Sequence, residues 1–223
     1  MPTSTVEDYV KQIYLTESSN SHRVPMGELA QLMEVVPGTA TSMVKTLSDS
    51  GLVDYEPRGG VHLTEGGRKL ALHVLRRHRL VELFLVRVLR LDWSEVHEEA
   101  EALEHVISDK VLERVDQVLG HPQVDPHGDP IPSATGTIAT NPAIHETLHN
   151  CQAGEQVRIA RILDQNPSFL QFIDHSGLTP GAEFNIEPSH PQADSVRLSS
   201  KENKTVTLGS SAAGKIMVEK ILS

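Results

Sequence analysis

Hydrophobic residues near the start of the chain recur at intervals of three and four. Val6, Tyr9, Val10, Ile13 and Tyr14 fall on one face of a helix over 5–15, with Ser4 and Glu7 as a capping pair. Ser18-Ser19-Asn20-Ser21 breaks the pattern, and Met26, Leu29, Ala30 and Leu32 mark a short second helix. A turn is expected at Val36-Pro37-Gly38. Ala40, Met43, Val44 and Leu47 then give the inner face of a third helix, stopped by Ser50-Gly51, whose outer face carries Thr39, Thr41, Ser42 and Lys45. Two alternating segments, 52–56 and 61–64, flank Pro57-Arg58-Gly59-Gly60 and predict a hairpin with Arg58 at its tip. Two short helices, a tight turn between them and a hairpin behind make a winged helix-turn-helix. Its hydroxyls and helix N-terminus suit phosphates and base edges, and Arg58 suits the phosphate backbone.

Downstream, Leu70, Val74, Leu75, Val81, Phe84, Leu85 and Val88 predict a long helix from Thr64 to about Leu91. Two more are expected, from Trp93 to Ile107 and from Asp109 to Leu119. Their apolar surface exceeds what one small domain can hide, which predicts a homodimer and the two-fold symmetry of a paired DNA half-site. Gly120 to Pro142 is rich in Pro and Gly and reads as an irregular connector. Ala143 to Cys151 reads as a short helix, with His145 and His149 one turn apart at its surface. Beyond Glu155 the period changes to two: 157–162, 183–186, 195–198, 205–208 and 215–218 read as five strands, with a helix at 167–175, and predict a small β-barrel. This region carries no nucleophile with a base, no phosphate loop and no aromatic ladder, so it reads as a regulatory or partner module.

Composition narrows the chemistry. None of the 223 residues belongs to an apolar run long enough to span a bilayer, and the N-terminus has no basic-then-apolar leader, so a soluble, cytoplasmic protein without a membrane partner is expected. A single cysteine, Cys151, rules out an internal disulfide and thiolate-rich metal sites, which leaves oxygen and nitrogen donors. The net charge of -10 argues against a nonspecific polyanion binder. Even residues 1–70 hold six Lys or Arg against nine Asp or Glu, so tight DNA binding needs dimerisation, local geometry or a bound cation.

The stretch His97-Glu98-Glu99-Ala100-Glu101-Ala102-Leu103-Glu104-His105 supplies that chemistry. On a helix, His97, Glu101, Glu104 and His105 share one arc beside an apolar stripe of Val96, Ala100, Leu103 and Ile107. His78 and Glu82, at i and i+4, project together from the preceding helix. Acidic helix runs are commonly just solvated faces; two helices carrying ligand types at turn spacing favour metal. Asp8 reads either as solvated or as a ligand reaching across to another helix. Among the connector residues His121, His127, Asp125 and Asp129, turn positions of this kind are seldom ligands.

Taken together, Val6-Glu7-Asp8-Tyr9 with Gln12-Ile13-Tyr14, Arg77-His78-Arg79-Leu80 with Glu82, His97 with Glu99-Ala100, Glu104-His105 with Ser108-Asp109, and Pro126 with Gly128-Asp129-Pro130-Ile131-Pro132 resemble the diphtheria toxin repressor and manganese transport regulator family of metal-dependent repressors. The resemblance implies a mainly α chain with a C-terminal small β-barrel: a winged helix-turn-helix DNA-binding domain (1–70), a metal-binding and dimerisation helical domain with its connector (71–142), and an SH3-like, FeoA-type domain (143–223). It implies a primary metal site of Asp8, Glu101, Glu104 and His105, an ancillary site of His78, Glu82 and His97, and further candidate ligands in Asp164 or Gln165.

Iron-type members have Met and Cys where this chain has Asp8 and Glu101. Replacing sulfur by carboxylate suits Mn(II), with Fe(II) as the alternative. Manganese-type members with a paired-metal site have Glu where this chain has Lys11, and an ammonium there repels a second cation, which implies two separate sites. Asp125 and Asp129 stand where iron-type members hold an anion, beside a retained Arg79, so a carboxylate takes the anion's place. The expectation is a homodimeric, Mn(II)-activated repressor of metal-uptake genes on a pseudo-palindromic double-stranded operator. The rivals are an Fe(II)-dependent repressor of iron homeostasis, a metal-buffering dimer, and a helical carboxylate metal enzyme, which would want a second Glu-x-x-His.

Overall fold

The structure is a computed structural model that describes residues 2–20, 22–139, 143–188, 192–202 and 204–221. The chain forms two compact units, one of Met1–His78, Glu101–Leu112 and Pro132–Ile138, the other of Arg79–Ala100, Glu113–Ile131 and Ala139–Ser223.

In the first unit, helix α1 (Ser4–Asn20) packs with α2 (Met26–Leu32), α3 (Pro37–Asp49) and the hairpin β1 (Val53–Glu56) and β2 (Gly60–Leu63) around Val10, Ile13, Leu29, Val44, Leu47 and Val61. The first helix is longer than its apolar pattern. It opens on Thr3, whose hydroxyl accepts from Val6 N (3.4 Å), and it runs through the serines because Ser18 bonds back to the Tyr14 carbonyl (2.8 Å). The expected turn at 36–38 is also displaced: Pro37 and Gly38 are the first residues of α3, since proline at the first helical position sacrifices no hydrogen bond. Gly51, at φ 71°, closes α3, with Leu52 N bonded to Leu47 O. Gly60, at φ 91°, lies so near the Val24 carbonyl that a Cβ would strike it, so the wing requires glycine there.

Helix α4 (Glu65–Arg87) is followed by α5 (Val96–Glu104) and α6 (Asp109–Val118). The middle helix starts with its apolar stripe at Val96, three residues later than the expected Trp93, because Asp92 Oδ1 accepts from both Ser94 N (2.8 Å) and Ser94 Oγ (2.7 Å) and holds a turn there.

The second unit contains a six-stranded antiparallel sheet, β3 (Ile144–Thr147), β4 (Gln156–Ile162), β5 (Glu183–Glu187), β6 (Ser195–Ser200), β7 (Thr205–Gly209) and β8 (Ile216–Lys220), in the order β3-β8-β4-β5-β6-β7. It is an SH3-like half-barrel, closed over Ile159, Ile162, Leu170, Ile173, Leu198 and Ile216 by α7 (Pro167–His175), with a short α8 (Ser210–Ala213) before the last strand. Five strands were expected here and six are found among the described residues. The sixth is β3, which corrects the expected helix at 143–151: that segment is an edge strand followed by one 3-10 turn (Leu148–Asn150), so His145 and His149 do not share a helical face.

Candidate metal centres and DNA-facing surface

One turn of α1, the end of α5 and the middle of α4 bring acids and imidazoles together in the first unit. Ligand atoms of Asp8, Glu101, Glu104 and His105 all lie within 4.8 Å of one another. His105 Nε2 is 2.8 Å from Asp8 Oδ1 and 3.3 Å from Glu104 Oε1, and the Glu104 side chain is fully buried. His78, which was grouped with Glu82 and His97, points its Nδ1 at Glu104 Oε2 (2.7 Å) and lies 3.5 Å from Glu101 Oε1.

These donors fit a cation. Asp8 Oδ1 is buried and accepts no hydrogen bond. Its neighbour His105 is fixed in orientation by Glu7, whose Oε2 accepts from Nδ1 (2.7 Å) and whose Oε1 accepts from Arg77 Nη1 (3.2 Å). With Nδ1–H committed to Glu7, Nε2 is left facing two carboxylates, where only a proton or a metal ion relieves the contact. Burial pushes the Asp8 carboxyl up, against the pull of His105 and Lys11. Burial also disfavours a charged His105, but the Glu7 hydrogen bond and the charges of Glu104 and Asp8 outweigh it and hold the imidazole above its ordinary value.

Two expected results follow. If His105 and Asp8 hold the ion, protons compete with it for both groups, each raised above its ordinary value, so Mn(II) affinity measured by calorimetry should fall as pH is lowered, by about tenfold per unit once His105 is protonated. Glu7→Gln, which removes the charge that orients His105, weakens Mn(II) binding by about 10–100-fold in the same titration. The sequence reads Glu7 only as the capping partner of Ser4; Ser4 lies inside α1, and the Glu7 carboxylate is instead engaged by His105 and Arg77. Its signal was the neighbouring acid on a half-buried helix.

The second unit holds another cluster. Glu82, Asp125 and His127 are all buried and their ligand atoms lie within 4.8 Å of one another. His97 Nδ1 is 3.3 Å from Glu82 Oε1. His127 donates from Nε2 to the Trp93 carbonyl (3.0 Å) and stacks on the Trp93 ring, which leaves Nδ1 a bare lone pair, buried and without a hydrogen bond, 3.8 Å from Glu82 Oε2. A fixed tautomer with an orphaned nitrogen among carboxylates again fits a cation.

The turn that carries these side chains is built by Asp125, whose Oδ1 accepts from His127 N (2.8 Å) and Asp129 N (2.9 Å), and by Gly128 at φ 87°, where a Cβ would strike the Ala160 carbonyl. Burial, with Asp129 and Glu82 close by, pushes the Asp125 carboxyl well above the usual range. Asp129 contacts Arg161, lies 3.6 Å from Arg79 and accepts from Gln165 Nε2 (2.7 Å). Asp164 instead pairs with Lys215 at 2.7 Å, and that hydrogen bond holds its carboxyl below the ordinary value. The sequence reads His127 only as a turn residue and Asp125 as a stand-in for an anion, not as a ligand; what it shows is the density of polar groups in Asp125-Pro126-His127-Gly128-Asp129, and their burial appears only in the structure.

On α3, Thr39, Ser42 and Lys45 are exposed and Thr41 is half-exposed, its hydroxyl bonded back to the Pro37 carbonyl (2.8 Å). Arg58 stands exposed at the hairpin tip with φ 69°. Among the described residues no helix is long and apolar enough to cross a membrane.

A winged helix-turn-helix combined with clusters of hard metal donors defines a DNA-binding regulator that responds to a divalent metal. The chain belongs to the iron-dependent repressor family, a family of transcriptional repressors rather than enzymes. Residues 1–61 match the iron dependent repressor N-terminal DNA binding domain, 64–133 its metal binding and dimerisation domain, and 146–220 the FeoA domain. The iron-dependent repressor IdeR of Mycobacterium tuberculosis is 30% identical over 97% of both chains. The diphtheria toxin repressor of Corynebacterium glutamicum is 37% identical over 82% of this chain and 83% of its own. A solved manganese-dependent transcriptional repressor in complex with manganese superposes with a TM-score of 0.86 at 37% identity, covering 97% of this chain and all of that one.

Proposed function

We propose that this protein is a cytoplasmic, homodimeric repressor of metal-uptake genes, activated by Mn(II), which binds a pseudo-palindromic operator. The observation that carries this is the sulfur-free donor set linking α1 to α5: Asp8, Glu101, Glu104 and His105 offer three carboxylates and one imidazole, which suit a hard-to-borderline divalent ion. A bound ion supplies two positive charges and an ordered coordination shell. Asp8 ties the first helix of the DNA-binding unit to α5, and Glu7 and Arg77 hold His105 in line with it. With α1 fixed, Thr39, Thr41, Ser42 and Lys45 of α3 and Arg58 of the wing meet the operator at half-site spacing. Neutralising acids in the DNA-binding unit also lowers the repulsion of an acidic chain from DNA.

Glu82, His97, Asp125 and His127 form the second, ancillary centre in this scheme, and His78 serves the first. The division into a DNA-binding domain (1–70), a metal-binding and dimerisation domain (71–142) and an SH3-like domain (143–223) is part of the same proposal. Leu103, Val106 and Val111, exposed in the first unit, and Val88, Leu89 and Val118, exposed in the second, suit the dimer.

Fe(II) is the second reading, favoured by the likeness to an iron-dependent repressor along nearly the full chain. Fluorescence anisotropy on a genomic fragment pool, titrated anaerobically with Mn(II), Fe(II), Co(II) and Zn(II), separates the two. Strongest operator retention with Mn(II) at micromolar free ion supports the proposal. Retention with Fe(II) alone would replace Mn(II), and retention without metal would sink it.

A further inference from the structure

Of the six lysines and arginines in residues 1–70, four already have a place. Lys11 is held 2.6 Å from both Glu101 Oε1 and Glu104 Oε1, Lys69 pairs with Glu65 at 2.6 Å, and Lys45 and Arg58 belong to the proposed reading surface. The remaining two, Arg23 and Arg68, converge on one pocket of about 390 Å³, and both histidines of the same stretch, His22 and His62, line it with them. The one acid among its described lining residues is Glu17, whose side chain is only 7% exposed. Glu17 Oε1 accepts from Leu63 N (2.9 Å) and lies 2.8 Å from His62 Nδ1, while Oε2 accepts from Arg68 Nη2 (3.3 Å).

One buried carboxylate does not account for four basic side chains. Arg23 is placed by another group, donating from Nη1 to the Asp54 carbonyl (3.2 Å), and Arg68 also lies over the Tyr14 ring, 5.5 Å from its centroid. A guanidinium carries five N–H donors, so these contacts place each group without exhausting it. His62 and Arg68 remain 45% and 44% exposed and Arg23 is exposed as well, so an anion can reach them. Guanidinium forks match phosphate oxygens. With neutral imidazoles, two guanidiniums against Glu17 leave one positive charge, which the single negative charge of a phosphodiester cancels. The pocket also lies on the flank of the wing. Val61 and Leu63 of β2 are buried, so His62 between them points outward, four positions from Arg58 at the tip. Arg23 leads into Val24, whose backbone bonds Val61 in both directions (2.8 and 2.9 Å). Phosphates follow one another every ~3.4 Å of rise along a DNA strand, so a strand met by Arg58 offers further ones to the same hairpin.

We infer that Arg23 and Arg68, with His22 and His62 beside them, form a phosphate-binding pocket on the flank of the wing, filled by a backbone phosphodiester of the operator, and that Glu17 positions Arg68 and His62 for it. The inference rests on operator binding and adds a contact outside α3 and the wing tip, one that supplies affinity without reading sequence.

The test is anisotropy of a labelled operator fragment with the full chain at saturating Mn(II), repeated between about 0.05 and 0.2 M salt. Arg23→Gln, which leaves the Glu17 ion pairs in place, should weaken binding on the order of 5–10-fold near physiological salt and make the logarithmic salt dependence shallower by about one per bound chain, on operator and unrelated duplex alike. Arg68→Gln should do the same, and Arg23→Gln alone carries the test if the Arg68 variant misfolds. Lys204→Gln, which removes an exposed charge just before β7, should change neither affinity nor slope, and Mn(II) affinity should be equal in all three. An unchanged slope in Arg23→Gln, or an equal loss in Lys204→Gln, would overturn the inference. Inorganic phosphate titrated into the metal-free protein, followed by the His62 ring signal in NMR, separates the other source of the same chemistry: saturation there, with an unchanged DNA slope in Arg23→Gln, would give the pocket to a small free anion and overturn the assignment to DNA. If the unsubstituted protein binds DNA equally with and without Mn(II), the sensing role falls, while the pocket still stands or falls by its slope.

Discussion

Asp8→Ala should abolish Mn(II)-stimulated operator binding while leaving the dimer intact. Asp8 is the one proposed ligand in the first centre that comes from α1, so its removal cuts the link between that helix and the Glu101, Glu104 and His105 set on and just beyond α5. Losing a partner that only orients a ligand typically costs about 10–100-fold in metal affinity, and loss of a ligand should exceed that. The exposed apolar residues suited to the dimer lie elsewhere, so sedimentation should show an unchanged dimer. Anisotropy of labelled operator with and without Mn(II) reads the coupling. Undiminished stimulation in the variant would mean that α1 is positioned by something other than metal.

His127→Phe carries the second large effect. Phenylalanine preserves the ring that stacks on Trp93, with centroids 5.3 Å apart, but removes the orphaned Nδ1 and the hydrogen bond to the Trp93 carbonyl. The lost hydrogen bond costs about 1 kcal/mol. The lost ion costs more: at 100 times its dissociation constant a bound ligand stabilises by about 2.7 kcal/mol, which for a chain of this size corresponds to roughly 5–10 °C in Tm. The variant should therefore bind one Mn(II) fewer per chain, and the rise in Tm that Mn(II) brings should shrink by that amount in calorimetry. An unchanged metal count would remove His127 from the ligands.

Features set by neighbouring residues were readable in the sequence. Helix α7 begins and ends at the expected residues because Asn166 caps it and Pro167 follows at its first position. Glu101, Glu104 and His105 were visible because helical spacing alone puts them on one face. The strand at 144–147 was not: it is a four-residue edge strand with a bulge, and the spacing of four between His145 and His149 of the following turn imitates a helix. Of the second centre, Glu82 and His97 were readable on their helices, but the ligand roles of Asp125 and His127 were not, for a different reason. Asp125 and His127 come from a turn that has no period, and they become ligand candidates only when folding buries them beside Glu82, more than forty positions earlier in the chain. The contact between His78 Nδ1 and Glu104 Oε2, 2.7 Å apart, could not be read either, since i,i+4 spacing from Glu82 does not reveal a neighbour on another helix.

The want of sulfur in both proposed centres has a consequence beyond metal preference. Thiolate ligands are oxidised by peroxide through sulfenic to irreversible acids, and a sensor built on them loses its metal when oxidants rise. Carboxylates and imidazoles do not follow that route. The single thiol, Cys151, is half-buried, and burial with Glu155 nearby pushes its pKa to about 11, so little of it is the reactive thiolate. If the proposed centres hold the sensed ion, the repressor should keep reporting metal supply during oxidative stress, when a thiolate sensor would release its genes regardless of how much metal the cell holds.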